Sequence, residues 1–317
     1  MKKNILLLVA TLFVLVSSFE IYKNIAYFNW KSQYVKRHGK GNPLLAISSP
    51  DKKLIWEYRP YGEAGDIKTN RYGFRDYDYD STNKPDNIYR IAFIGDSVTL
   101  GIYTDFDKIF VRRFEAEANK LDPAHKVQAL NFSVDGYNTV QIYEMLKTKV
   151  VNFSPDKVVY VMCLNDFDFE DSSANKIRFF IKPKSFLIDE IERAIRHLRA
   201  SKMNSTYFHF IRTKDAVFEK ILQMRDLLNQ KSIDYQVVIL PNFEDAKADF
   251  NDYPLMQMHN EIRKFLDENK ITFIDMLDKF KEQNKPPRYW AYDAHHLNDI
   301  GHQFVAQQLL LPVHGSK

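Results

Sequence analysis

From Tyr89 onward the chain alternates short, almost continuously apolar runs with segments of helical period, and this rhythm is the strongest constraint on its fold. Runs without a polar side suit strands covered on both faces, and covering them with intervening helices builds a parallel sheet. Strands are expected at Tyr89 to Ile94, Val127 to Asn131, Lys157 to Met162, Tyr235 to Leu240 and Ile271 to Asp275. Between them, Phe106, Phe110, Phe114, Ala118 and Leu121 share one face of a helix. Val140, Tyr143, Leu146 and Val150 do the same in a second, and Leu255, Met258, Ile262 and Phe265 in a third. A closing helix from Leu297 to Leu311 directs Ile300, Phe304 and Leu309 to the sheet. The expected class is α/β, with a mostly parallel five-stranded sheet.

At 317 residues, 45% hydrophobic and 27% charged, the chain can bury a large core. Its 45 basic and 41 acidic residues leave a net charge of +4, which points to no nucleic-acid partner. Cys163 stands alone, which excludes an internal disulfide and a cysteine-clustered metal site, and no cysteine follows the N-terminal apolar run to accept a lipid.

That run, Ile5 to Phe19, follows Lys2 and Lys3. Residues 1–28 therefore read as an N-terminal apolar helix that is an export signal or a membrane anchor, with the rest of the chain exported to the periplasm or another extracytoplasmic face. The run is shorter than the about 20 residues of a typical span. Ile21, Tyr22, Ile25 and Ala26 extend it past Glu20, while Val16-Ser17-Ser18 offers small residues for cleavage, so both readings stay open.

Residues 29–88 form an irregular lead-in rich in Lys, Tyr, Asp, Gly and Pro, and 89–317 form the main domain. The segment 167–215 breaks the rhythm and reads as an insertion that caps the site. Within it a helix from Ser185 to Ala200 sets Ile188, Ile191, Ile195 and Leu198 opposite Arg193, Arg196 and Arg199. It reads as an ordinary packed surface helix, the alternatives being contact with a membrane surface or an acidic substrate.

Ser97, in Ile94-Gly95-Asp96-Ser97-Val98-Thr99-Leu100-Gly101, directly follows the first strand, at the strand end where open α/β sheets bind ligands. A serine hydroxyl needs a base, and the base needs an orienting group. Gly-Asp-Ser alone also suits a turn or a helix cap. Three segments at the same end of other strands add to it: Gly136 in Asn131 to Thr139, Asn165 in Cys163 to Asp166, and Asp293 with His296 in Asp293 to Asn298. Glycine lets a backbone N–H approach a ligand, asparagine adds an amide donor, and the three-residue spacing lets Asp293 hold an imidazole whose other nitrogen faces Ser97. His295 competes with His296 and is expected to point elsewhere, and Asn298 is the expected cap of the closing helix.

With Gly95-Asp96-Ser97-x-Thr99-x-Gly101, Gly136 with Thr139, Asn165-Asp166 and Asp293-x-x-His296 in this order, the chain resembles the SGNH (GDSL) hydrolase superfamily from about Asn70 to Leu311. The resemblance implies a flavodoxin-like three-layer α/β/α fold, Ser97 as nucleophile, His296 as base and Asp293 as its orienter. It implies an oxyanion hole from the Ser97 and Gly136 N–H groups and the Asn165 side chain, and neither a metal nor an organic cofactor. The lead-in Asn70-x-x-Gly73-Phe74-Arg75-Asp76 is similar to that of membrane-anchored bacterial members. Cys163 stands where the family usually has glycine, which leaves the tightness of that turn open; it reads as a small buried apolar residue.

The expected activity is serine-dependent hydrolysis of O-acyl groups, O-acetyl foremost, on an extracytoplasmic carbohydrate or lipid. The same residues suit an O-acyltransferase that passes the acyl group to a polysaccharide. A non-catalytic carbohydrate-binding or assembly protein on this fold is the third reading, against which the complete residue set argues.

Overall fold

The computed structural model describes residues 2–39, 44–79, 84–169, 174–200, 204–243 and 250–310. Helix α1, Lys2–Gly39, is long and apolar enough to cross a membrane, and none of its most apolar stretch is buried. The lead-in then forms two antiparallel pairs, β1 (Ala46–Ser48) with β2 (Trp56–Tyr58) and β3 (Glu63–Ala64) with β4 (Ile67–Lys68). It is fastened to the main domain by polar contacts: the Gln141 amide donates to Leu54 O at 2.8 Å, and Asp76 accepts from Asn131 N at 2.7 Å.

The main domain continues as β5 (Ile88–Gly95), α2 (Ser97–Leu100), α3 (Phe110–Leu121), β6 (Lys126–Ser133), α4 (Thr139–Thr148), β7 (Lys157–Cys163), α5 (Ala174–Phe180), α6 (Phe186–Ala200) and α7 (Ser205–Gln230). After these come β8 (Asp234–Leu240), α8 (Met256–Glu268), β9 (Thr272–Asp275), α9 (Met276–Glu282) and α10 (Asp299–Leu310). The order β6-β5-β7-β8-β9 is that of a flavodoxin-like sheet, and every pairing is parallel.

Helices cover both faces of this sheet. Phe93 packs edge-on against Phe110 and Phe114 of α3, whereas Tyr160, in register with Ile94, meets Thr139 of α4 at 3.0 Å. Consecutive strand residues point to opposite faces, so α3 and α4 lie on opposite sides. Burying each large apolar side chain in this core contributes about 1.5–3 kcal/mol.

The sequence pattern located the five strands to within two residues at each end, but three helical expectations shift. The run from Phe106 is broken: Phe106–Lys108 is a 3₁₀ turn, Ile109 is extended, and α3 starts only at Phe110, whose N–H donates to His302 Nδ1 of α10 at 3.2 Å. In α4 the buried apolar residues are Ile142, Met145 and Leu146, while Val140 and Tyr143 are half-buried. Buried Gln141, bonded to the lead-in, turns the helix to that phase. In α10, Phe304 and Leu309 are buried as expected, but Ile300 is 45% exposed. Asn298 caps the helix through the N–H groups of Ile300 and Gly301, and Gly301, where a Cβ would collide with the Trp290 carbonyl, takes the inward place. Leu311 lies outside the described residues.

The segment 167–215 supplies α5, α6 and the first turns of α7. The apolar stripe of α6 is not packed: Ile188, Ile191, Ile195 and Leu198 are 43–69% exposed. The reading of this helix as an ordinary packed one is therefore corrected.

Candidate active site

The site forms where β5, β6 and β7 end side by side. At Gly95 a Cβ would sit 2.9 Å from Thr99 Cβ and 3.0 Å from the Val161 carbonyl oxygen, so the close approach of β7 to the α2 turn excludes any side chain there. Asp96 caps α2, accepting the Val98 N–H at 2.9 Å, and Ser97 follows as the first residue of the turn with 8% of its surface exposed.

His296 Nε2 lies 3.0 Å from Ser97 Oγ. The other ring nitrogen, Nδ1, lies 2.8 Å from Asp293 Oδ2, and Asp293 Oδ1 accepts the backbone N–H groups of His295 and His296 at 2.9 and 2.8 Å. Burial raises the Asp293 carboxyl, but these backbone donors and the imidazole outweigh it and hold the pKa below the ordinary range. The loop carrying the pair is braced on both flanks. Phe243 N donates to Ala294 O at 2.7 Å, and Tyr103, from the segment after α2, sets its ring edge-on against His296 at 5.3 Å. Adjacent His295 meets Asp293 through its backbone, and it is His296 that faces Ser97.

Asn165 belongs to a 3₁₀ turn, Leu164–Phe167, at the end of β7. Its amide donates to Asp96 Oδ2 at 3.0 Å, which places it beside Ser97 through Asp96. Gly136 lies in the loop after β6 with φ of +76°, a left-handed conformation that favours glycine. That loop is held to β5 by Val134 N donating to Gly95 O at 3.4 Å, and to the β7 turn by Thr139 Oγ1 donating to Asp166 O at 3.2 Å. Burial, and then the neighbouring Asp96, push the Asp166 carboxyl up; it accepts from Tyr160 Oη at 2.7 Å and Cys163 N at 3.1 Å.

Cys163 needs no glycine-like backbone, since φ is −100° and ψ 151°. Its side chain is buried, and Sγ donates to Asp96 Oδ1 at 3.5 Å. Burial first, and then Asp96, push the thiol pKa well up, away from the thiolate that nucleophilic chemistry would need.

Sequence reasoning missed two residues that shape this site. Asp96 joins Ser97's turn to Asn165 across 69 positions of chain, a link that its place inside Gly-Asp-Ser hints at only as a cap. Arg75, 1% exposed, donates to the carbonyls of Leu100, Gly101 and Thr104 at 3.0, 2.7 and 2.8 Å and so fixes the segment that carries Tyr103. Its signal in the sequence is the lead-in stretch Asn70 to Asp76, to which the pattern alone assigns no role. Among the described residues no group of three or more His, Cys, Asp and Glu side chains is placed to hold a metal ion.

Comparison with known proteins agrees with this architecture. The model of the GDSL-like lipase/acylhydrolase family matches residues 93–304. A catalytic mutant of Axe2, an acetylxylan esterase from Geobacillus stearothermophilus, aligns with a TM-score of 0.51 at 14% identity, over 72% of this chain and 95% of that one. The acetyl xylan esterase AlAXEase gives 0.48 at 18% identity, over 71% and 99%. The lipase Lip_vut3 from a goat rumen metagenome gives 0.49 at 16% identity, over 70% and 96%. At 14% identity the likeness to Axe2 is one of fold, and no curated protein sequence matches the chain. The family match spans both ends of the site, from the strand before Ser97 to the helix after His296, and the chain belongs to the GDSL-like lipase/acylhydrolase family as a serine esterase of the SGNH type.

Proposed function

We propose that this esterase removes O-acyl groups, O-acetyl foremost, from an extracytoplasmic carbohydrate or lipid, with Ser97 as nucleophile, His296 as base and Asp293 as orienter. The observation that carries the reading is the 3.0 Å contact of His296 Nε2 with Ser97 Oγ while Nδ1 is held by Asp293. With its proton kept on Nδ1, the imidazole presents a lone pair to the hydroxyl. Ser97 Oγ attacks the acyl carbonyl as its proton passes to Nε2. The Ser97 and Gly136 N–H groups and the Asn165 amide receive the developing oxyanion, for which each donor is worth about 2.7–4 kcal/mol. Collapse expels the alcohol, which takes the proton from His296. Water then adds to the acyl-enzyme with His296 again as base, releasing the carboxylic acid and free Ser97.

The extracytoplasmic location is supported by α1, apolar and bare over its first half, which we read as an anchor or export signal. Acetylated sugar leads the substrate choice because solved proteins of this fold include acetylxylan esterases. The test is acid release from acetylated xylo-oligosaccharides, short and long p-nitrophenyl esters and lysophospholipid by the purified full chain, with and without a sugar acceptor. Release that Ser97→Ala abolishes supports the reading. Absence of turnover on every ester refutes it, and acyl-acceptor product in place of free acid assigns a transferase.

A further inference from the structure

We propose that α6 lies in the membrane interface and seats the catalytic domain on the bilayer from which α1 emerges. The proposal rests on the reading of α1 as an anchor. It begins with α6's exposed side: Ile188, Ile191 and Ile195 are 59%, 51% and 43% exposed, and a spacing of three and four places them on one face. A soluble helix normally buries such a face; an interfacial helix lays it among headgroups and acyl chains.

The position of α6 along α1 names the occupant. Glu20 is the first charged residue after the apolar run, and its carboxylate caps α6 from outside, accepting from Ser185 Oγ at 2.6 Å and from Phe186 N and Leu187 N at 3.0 Å each. One turn further along α1, Lys23 meets Glu190 at 3.0 Å. Tyr27 Oη then donates to Arg178 O at 2.8 Å, with its ring 5.8 Å from that of Phe186. The first turn of α6 is thus fixed at the level where α1 stops being purely apolar, which for a spanning helix is the edge of the hydrocarbon.

Charge agrees with this placement. Of the three acidic residues in α6's first half, Asp189 and Glu190 are engaged by Arg178 and Lys23 within the protein, and Glu192 is the third. Arg193, at the middle of the helix, lies 3.9 Å from Glu190, and the rest of the sequence of α6 adds Arg196 and Arg199 with no further acid, the sign attracted to anionic lipid. The seat reaches the active site through α5. Lys176 pairs with the Asp135 carboxylate and donates to Asp135 O at 3.1 Å, one residue before Gly136. A bilayer-bound α6 therefore holds the Gly136 loop over the membrane surface, where a lipid-linked or surface-borne ester would be presented.

The test uses the full chain in vesicles of phosphatidylcholine, with and without phosphatidylglycerol, bearing an environment-sensitive fluorophore on one introduced thiol. Cys163 is buried and stays unlabelled in the folded protein. Ile191→Cys reports α6, Phe13→Cys reports α1, and Lys264→Cys on α8, its side chain 75% exposed, is the solvent control. We expect labels at 191 and 13 to shift to the blue and to be quenched by lipid-borne nitroxides, the former more strongly with anionic lipid, and the label at 264 to do neither. Quenching at 13 without quenching at 191 overturns the proposal and leaves the anchor standing. Disulfide cross-linking between two copies at 191 also overturns it, because a second chain then covers the stripe. Quenching at 191 without 13 overturns the anchor and with it a seat beside an emerging α1, and quenching at neither overturns both.

Discussion

Asp293→Asn leaves the shape of the site intact and changes the atom that faces His296 Nδ1. In the native site Oδ1 takes the N–H groups of His295 and His296 at 2.9 and 2.8 Å, and Oδ2 lies 2.8 Å from Nδ1. An amide oxygen keeps the two backbone bonds, so the NH₂ group occupies the Oδ2 place and donates to Nδ1. Nδ1, 2.8 Å from Oδ2 and 3.0 Å from Oδ1, then has the NH₂ group as its nearer neighbour, which favours the ring proton on Nε2, and the atom 3.0 Å from Ser97 Oγ becomes a donor that cannot accept the hydroxyl proton. Loss of the correct tautomer in a triad costs about 10⁴-fold in kcat, about 5 kcal/mol of transition-state stabilisation. Fold stability should change little, because the Asp293 side chain is 45% exposed and water can solvate it. Its lowered carboxyl pKa contributes stability above the ordinary carboxylate range that is lost as pH falls through the native value, and the amide removes that acid-limb contribution. The assay is kcat on a short p-nitrophenyl ester beside a thermal melt near neutral pH. A variant within about tenfold of native kcat, with an unchanged melt, would refute the assignment of Asp293 as orienter.

Asn165→Ala should lower kcat by about 10²–10³-fold with little change in KM, as loss of one oxyanion donor does, and equal loss in KM alone would make the residue a substrate-binding group instead. Gly95→Ala should destabilise the fold by about 1–3 kcal/mol, because its Cβ meets Thr99 and the Val161 carbonyl; an unchanged denaturant midpoint contradicts the packing described. Burial first, and then nearby Arg113 and Arg75, depress the His302 pKa to about 3, so the native state holds this histidine neutral while the unfolded chain protonates it below about 6.5. Stability should therefore fall as pH drops from about 6.5 towards 3, by at most about 1.4 kcal/mol per pH unit from this group, and melts of His302→Gln, which keeps an acceptor for Phe110 N, should show a flatter acid limb.

The parallel sheet was legible because its strands are covered on both faces and therefore lack polar punctuation, as in Val158 to Met162, all buried. Ser97, Gly136 and Asn165 were legible as candidates because each stands just past a strand, whereas Asp293 and His296 come after α9 in the loop before α10, so their expected place at a strand end does not hold. What escaped was set by contacts far apart in the chain. Periodicity alone cannot reveal that the Phe110 N–H turns to His302, across 192 positions, and breaks the helix that Phe106 would otherwise begin. Nor can it show that Gly301, rather than Ile300, fits beneath the Trp290 carbonyl. The same holds for Asp96, whose carboxylate gathers the Val98 N–H, the Asn165 amide and the Cys163 thiol only once β5 and β7 are paired. The stripe on α6 is legible as amphipathic, but a pattern does not say what lies against it, and here the protein leaves it exposed.

Ser97 as nucleophile is the claim on which the mechanism turns, and covalent labelling tests it most directly. The full chain is incubated with a fluorophosphonate, digested, and mapped by mass spectrometry. The account predicts a single phosphonylated peptide containing Ser97, with labelling slowed in His296→Ala and absent in Ser97→Ala. A native protein that takes no label, or an adduct that persists on another residue in Ser97→Ala, contradicts it.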